Sequence, residues 1–405
     1  MKSLYIPSSQ KSYWVVVVAL LTLCNSALAR ERLPQDAYVW QRIWTPSLAA
    51  ALNASSDLIG EWRVLAAETD SHGRLAPFAV NWRALAQTRR PVVAVIRIDG
   101  QLAGWSEDGL LAGIRALSAG WRKSGVVAEG IEIDFDCGTA RLGGYAHLLK
   151  RLRVEQGLPK RLSITVLPAW LGSDDLSALQ AQTDEVVLQV HAVREPRWGL
   201  FDVDQARRWI DTLDRRSTKP FRVALPDYSA RVARGNNGEI ISVESEVPKL
   251  AGGASEMQLV ALPQEVSRLL RSLEREPPAH LAGIVWFRLP TAVDTQTWSV
   301  STWRAVIAGK NVSASIGVVA LPGGKPQLAE IVLENAGDID APLPSFVDLP
   351  RGCALADGIN GYSLREDSLG ISLERLQTGL LYAHHAQVIG WMRCPGAGKN
   401  FHVRS

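Results

Sequence analysis

Residues Glu129-Gly130-Ile131-Glu132-Ile133-Asp134-Phe135-Asp136-Cys137 alternate between acids and apolar residues. Strand side chains have a period of two, so Glu132, Asp134 and Asp136 share one face, and Ile131, Ile133 and Phe135 share the other. Carboxylates stacked on one face repel each other, and a fold keeps them there where that face looks onto something useful. The plain alternative is an edge strand with a solvated acidic face. The buried character of the neighbouring strands argues against it.

Outward from this stretch, strand-like and helix-like runs alternate. Upstream, residues 38–44, 62–68 and 91–98 read as strands, followed in turn by helical patterns over 46–54, 78–88 and 107–123. The acidic stretch, 130–136, is the fourth strand, and 145–155 its helix. Downstream, strands over 162–167, 185–193, 221–225 and 282–289 pair with helices over 174–182, 202–215, 263–276 and 298–308. Eight such alternations predict an α/β fold, a (β/α)8 TIM barrel over 30–309. A doubly wound sheet would carry a glycine-rich phosphate turn after its first strand; Trp44-Thr45-Pro46-Ser47 is not one. The connection 226–262 is too long for a simple loop. Strand-like runs around Gly235-Asn236-Asn237-Gly238 make it a β-hairpin standing on the C-terminal face, where barrel active sites lie.

From about residue 310 helical periodicity gives way to strand-like runs (313–321, 327–333, 370–376, 387–392) and turns such as Pro322-Gly323-Gly324, which predict an all-β sandwich over 310–405. At the other end, Lys2 and Lys11, an apolar run and Ala27-Leu28-Ala29 read as a signal peptide over 1–29, with the mature chain periplasmic or secreted. The apolar run is short for a membrane span, so no stable span is expected after cleavage. A lipoprotein attached through Cys24 is the lesser alternative, because Leu23 is bulky for such a site.

Cleavage would remove two lysines and no acids, lowering the net charge from +3 to +1. A near-neutral chain lacks the basic stripe of a nucleic-acid partner. In an oxidising compartment Cys353 and Cys394, both in the C-terminal region, are expected to pair, leaving Cys137 as a buried thiol. The seven His are scattered apart from His384-His385, no spacing resembles a zinc site, and phosphate loops are absent, so neither metal nor cofactor is expected. The three acids lie on a line, a poor arrangement for enclosing Ca2+ or Mg2+.

On a barrel strand, apolar residues turn to the helices and the alternate set faces the lumen. Glu132, Asp134 and Asp136 therefore point inward, with Asp136 nearest the mouth. Crowded and desolvated, at least one should hold its proton near neutrality, as glycoside hydrolysis requires of its acid. Other strand ends supply candidate substrate contacts: Trp170 after strand five, Gln189 and His191 on strand six, Asp227 and Tyr228 after strand seven, Trp286 and Arg288 on strand eight. Trp286 is read as the floor of a sugar subsite. Arg97 and Asp99 end strand three and are read as a pair; Trp40 and Arg42 are weaker candidates.

The stretch Glu129 to Asp136 resembles the fourth-strand signature D-G-x-D-x-D-x-E of chitinase-like glycosidases and endo-N-acetylglucosaminidases. Gly130 matches the glycine, Glu132 stands for the first interior aspartate, Asp134 matches the second, and Asp136 occupies the place of the final glutamate. The resemblance implies that Asp136 is the general acid and that Asp134 orients an acetamido nucleophile, Glu132 tuning Asp134. Asp is one methylene shorter than Glu, and a misplacement of about 1 Å can cost on the order of a hundredfold in rate. The mature chain is also similar to a family of secreted bacterial proteins known only as a domain of unknown function. That likeness rests on the fourth-strand acids with Cys137, on Leu162-Ser163-Ile164-Thr165-Val166-Leu167-Pro168-Ala169-Trp170, and on Pro226-Asp227-Tyr228. The expected function is glycoside hydrolysis of a polysaccharide or glycan, amino-sugar polymers included. The alternative is a non-catalytic glycan-binding or envelope-scaffold protein.

Overall fold

The computed structural model describes residues 32–404 except 103, 105, 124, 192–198, 235–239, 245–254, 311–312, 326, 354, 369, 377–378 and 395–399. The expected signal segment with Cys24 and the turn at 235–238 lie outside the described residues. Among the described residues no helix is long and apolar enough to cross a membrane.

Eight parallel strands close into a barrel: β1 (Gln35–Val39), β2 (Trp62–Thr69), β3 (Val92–Ile98), β4 (Gly130–Phe135), β5 (Arg161–Val166), β6 (Glu185–Gln189), β7 (Phe221–Pro226) and β8 (Leu281–Phe287). Closure comes from β1, which pairs with both β8 and β2. A helix follows each strand: α1 (Pro46–Ser55), α2 (Trp82–Thr88), α3 (Glu107–Lys123), α4 (Leu142–Val154), α5 (Asp175–Gln182), α6 (Val203–Arg216), α7 (Pro263–Arg275) and α8 (Val300–Ile307). Side-chain caps at Thr45, Asn81, Asp202 and Ser299 accept the free N–H groups that open α1, α2, α6 and α8.

Two strands differ from their expected spans by more than two residues at an end. β1 begins three residues earlier and ends at Val39, because Gln35 and Asp36, polar in sequence, are buried at the barrel base. β6 ends at Gln189. The excursion after β7 is a three-stranded antiparallel sheet, not a hairpin alone: Ser229–Arg234 pairs with Ile240–Glu244 on one side and with Ser255–Val260 on the other.

Beyond α8 the chain forms two four-stranded antiparallel sheets. In chain order their strands are Ile316–Pro322, Leu328–Asn335, Leu355–Gly358 and Ala386–Arg393 in one, and Phe346–Asp348, Tyr362–Asp367, Gly370–Arg375 and His402–Arg404 in the other. They share a core around Ile331, Leu333, Val347, Leu373, Ile389 and Met392. Cys353 and Cys394 form a disulfide with Cα atoms 4.1 Å apart, and Cys137 is a buried free thiol. Asp340 joins this region to the barrel: its buried carboxylate accepts from Ser299 N (2.6 Å) and Oγ (2.8 Å) at the start of α8, and from Ala383 N (2.9 Å).

The base of the barrel is an ionic network. Arg63 on β2 is fully buried and contacts Glu132 on β4, Glu185 on β6, Glu61 (3.2 Å) and Asp36 on β1 (3.6 Å). Arg222 on β7 reaches Asp36 (3.1 Å) and Glu185 (3.2 Å), and Arg161 on β5 reaches Glu61 and, at 2.9 Å, Glu185. Burial works to raise the Glu185 pKa, but Arg63, Arg222 and Arg161 outweigh it and hold the carboxyl at about 2. For Asp36 burial prevails over Arg222 and Arg63, and its pKa is pushed up to about 6. Gly283 on β8 completes the base: a Cβ there would lie 2.4 Å from the Arg222 guanidinium. Above this floor Tyr38, Leu65, Val95, Val187, Ala224 and Val285 fill the lumen with apolar side chains.

Removing one partner of a buried ionic network leaves the rest uncompensated. Arg63→Met is expected to cost about 3–5 kcal/mol, read as a lowered urea midpoint. An unchanged midpoint would show that the floor acids do without the guanidinium.

Candidate active site

β4 carries its three acids into three different settings. Glu132 is fully buried, and its carboxylate accepts from Tyr38 Oη (2.6 Å), from Ser163 Oγ (3.0 Å) and from Arg63. Burial raises its pKa while those three partners oppose the rise. Its oxygens are thus committed to the floor, which corrects the expectation that Glu132 works on Asp134.

Asp134 lies two residues further along the same face. It is buried and accepts from Thr165 Oγ1 on β5 (2.7 Å), and its nearest cation is Arg97 on β3, with Nε 4.0 Å away. Burial pushes its pKa to about 7, the charge of Asp136 adds to the rise, and Arg97 and Thr165 oppose it. Asp136, just past the end of β4, is exposed and accepts from Gln189 Nε2 at 3.4 Å. Its pKa is raised by the protein crowded around the mouth, against Arg97 and Gln189. Because water reaches Asp136 and screens that effect, the buried Asp134 is where the pair holds its proton near neutrality.

The backbone of Asp136 is held from behind. Gly100, in the loop after β3, packs so close that a Cβ would lie 1.9 Å from the Asp136 carbonyl oxygen. Arg141 ties the same loop down by donating to the carbonyls of Gly100 (3.1 Å) and Leu102 (2.9 Å). Trp170 braces the other side: it is fully buried, its Nε1 donates to the Cys137 carbonyl (3.0 Å), and its ring packs on Tyr145. It is therefore no sugar platform.

Across the lumen stands an aromatic wall. His191 stacks on Phe287 at 5.5 Å and meets Tyr228 edge-on at the same separation; Phe287 meets Tyr228 at 5.4 Å, Trp40 at 5.1 Å and Tyr38 at 5.7 Å. His191 Nδ1 lies 3.1 Å from Tyr228 Oη, and burial lowers the His191 pKa to about 4, so the ring is neutral. Asp227 is fully buried, its carboxyl pKa raised by that burial against the pull of Arg288. Arg288 is itself buried and paired with Asp294 (Nη2–Oδ2 2.5 Å). Trp286 faces the other way: its Nε1 donates to Gln35 Oε1 (2.8 Å), and its ring packs against Trp298 and, on α8, Trp303. The lumen face of β8 is Val285 and Phe287, so Phe287 is the aromatic that the mouth presents.

Asp134, Asp136 and Gln189 thus come together, His191 and Tyr228 join the opposite wall, Trp170 and Trp286 turn away from the mouth, and Asp227 and Arg288 are buried next to Tyr228. Arg97, Thr165, Phe287 and Tyr38 are additions. The alternation Leu162-Ser163-Ile164-Thr165-Val166 carried a signal for Thr165; Arg97 was masked by Asp99, whose backbone N–H donates instead to Thr69 Oγ1 (2.9 Å) and whose carboxylate accepts from Gln101 N (2.8 Å). Among the described residues no group of three or more His, Cys, Asp or Glu is arranged to hold a metal ion.

Fold and site define a (β/α)8 barrel with a carboxyl pair on the fourth strand, facing an aromatic wall. The chain belongs to the family described as a domain of unknown function (DUF3142), which matches residues 88–292. A second domain of unknown function (DUF8456) matches residues 319–395. Among solved structures the chain is similar to a chitinase from Chromobacterium violaceum, with 16% identity, a TM-score of 0.48, and coverage of 68% of this chain and 98% of that one. It is similar to the spore cortex-lytic enzyme SleL of Bacillus cereus, with 14% identity, a TM-score of 0.49, and coverage of 70% and 76%. A chitinase from Bacteroides thetaiotaomicron has 11% identity and a TM-score of 0.47, with 64% and 90% covered. No curated protein matches the sequence.

A carboxyl whose folded pKa exceeds its unfolded one destabilises the fold as pH rises between the two values. For Asp134 that window runs from 3.8 to about 7. Asp134→Asn, a neutral isostere, should therefore match the wild type below pH 4 and exceed it at pH 8 by up to about 4 kcal/mol, at 1.36 kcal/mol per pH unit. Urea unfolding at the two pH values checks it, and equal stability at pH 8 contradicts the raised pKa.

Proposed function

We propose that this chain is a secreted or periplasmic glycoside hydrolase acting on a polysaccharide. The observation that carries the reading is the unequal acid pair, Asp134 buried and proton-bearing near neutrality and Asp136 open at the mouth. Two neighbouring carboxyls that hold one proton between them are the elements a glycosidase needs. The fourth-strand pattern supports the same chemistry.

In this reading a sugar ring lies in the mouth against Phe287, with Gln189 and Tyr228 placed for its hydroxyls. The proton that the pair shares passes from Asp134 to Asp136 and on to the glycosidic oxygen, the bond from that oxygen to the anomeric carbon breaks, and Asp134 is left as a carboxylate. On an amino-sugar substrate the acetamido oxygen bonds to the anomeric carbon, and Asp134 accepts from the acetamido N–H and balances the charge that develops. Asp136, again a carboxylate, takes a proton from water as the water bonds to the anomeric carbon and opens the intermediate, and that proton returns to Asp134. The net change is hydrolysis with retention, and the acid pair ends as it began. Glu132 contributes by holding β4 to the floor.

One observation favours a second reading, a non-catalytic glycan-binding or envelope-scaffold protein: Asp136 is a methylene shorter than the glutamate of the related pattern. Asp136→Asn separates the two. An enzyme should lose about 10²–10⁴ in turnover while keeping its affinity for glycan, and wild-type turnover should fall above about pH 7 as Asp134 loses its proton. The assay is a panel of amino-sugar polymers and bacterial exopolysaccharides. Binding without turnover by the wild type across that panel would select the second reading.

A further inference from the structure

Arg97 is the penultimate residue of β3, and its Cα is the register partner of Asp134. It therefore stands in the mouth at the level of the proton-bearing acid, with 38% of its side chain exposed. The neighbouring guanidiniums are committed. Arg42 holds Glu68 (2.7 Å), Arg288 holds Asp294 (2.5 Å), and Arg141 holds the carbonyls of Gly100 and Leu102. Arg97 makes no hydrogen bond to protein among the described residues. Its closest anion, Asp134 Oδ2, is 4.0 Å from Nε, beyond hydrogen-bond reach. Its other contact is the Trp40 ring, 5.7 Å from the guanidinium carbon.

A guanidinium resting on an indole keeps its N–H edges free, and those edges match a carboxylate in a two-point fork. The charge balance permits such a ligand. The acid pair with one shared proton carries one negative charge, which Arg97 offsets, so an anionic sugar meets no net repulsion from these three groups. We propose that Arg97 is the anion-recognition residue of the mouth and that the glycan bound there carries a carboxylate on the ring beside the acids. This rests on the glycan-processing reading and adds the class of sugar: a carboxylated ring, whether a uronic acid or an amino sugar bearing a carboxyl ether.

Binding tests this apart from turnover. The full chain carrying Asp136→Asn would be titrated calorimetrically with three probes: tetragalacturonate, a tetrasaccharide of alternating N-acetylglucosamine and N-acetylmuramic acid, and neutral chitotetraose. At least one carboxylated probe should bind about tenfold or more tighter than chitotetraose, and which one does so identifies the source of the carboxylate. Adding Arg97→Gln should abolish that preference, so that carboxylated and neutral probes bind alike. Adding Arg97→Lys, which keeps the charge without the fork, should retain part of it. Thermal unfolding of each variant confirms that it is folded. Equal affinity for charged and neutral probes, no binding of either carboxylated probe at millimolar concentration, or a preference that survives Arg97→Gln overturns the proposal. Tight binding of carboxylated glycan by a wild type that never turns it over would sink hydrolysis and leave the Arg97 assignment standing.

Discussion

The Arg63 guanidinium is the contact on which the barrel depends. Four acids, Asp36, Glu61, Glu132 and Glu185, converge on the base of the lumen, and Arg63 touches all of them from a fully buried position. Arg161 and Arg222 share the load at the periphery. Charges at this depth persist only when paired and hydrogen-bonded. The network also ties together β1, β2, β4, β5, β6 and β7, so the electrostatic condition for burying Glu132 is met by contacts that join six of the eight strands.

That arrangement gives β4 a gradient along one face. Its lowest acid is bonded to a cation and two hydroxyls, its middle acid has a hydroxyl and a cation held at 4.0 Å, and its last acid meets water and an amide. Repulsion among three carboxylates is relieved differently at each step, by ion pairing below, by protonation in the middle and by solvent above. The apolar layer of Val95, Val187, Ala224 and Val285 fills the lumen between the ionic floor and the mouth. The floor can thus hold its charges for stability while the mouth keeps a titratable pair.

Much of this was legible in the chain. The alternation of strands and helices placed β4 fourth of eight, and the period of two placed its acids in the lumen. The floor also left a trace: Asp36, Arg63, Arg222 and, at the strand starts, Arg161 and Glu185 are charged residues at or near the beginnings of otherwise apolar strands. Period-two reasoning failed where both faces of a strand are apolar. Ala282–Phe287 offers no polar residue to set its parity, and a register irregularity lies between Leu281 and Gly283. The pattern therefore does not separate Trp286 from Phe287 as the lumen residue. Trp170 failed for another reason, since nothing local to Pro168-Ala169-Trp170 tells that its indole will cap the Cys137 carbonyl.

The short side chain of Asp136 is best judged against its backbone. β4 ends at Phe135, so Asp136 stands outside the ladder and its position is set by what packs on it. Gly100 presses against its carbonyl, Arg141 fixes the loop that carries Gly100, and Trp170 holds the Cys137 carbonyl one residue on. Three contacts of this kind locate a Cα without help from the strand. In the proposed hydrolysis a displacement of about 1 Å, close to the length of the missing methylene, would decide about two orders of magnitude in rate. Reach at this position is therefore a property of the loops after β3, β4 and β5 as much as of the side chain, and lengthening Asp136 to Glu inside this collar would move the carboxyl off the position that those loops define.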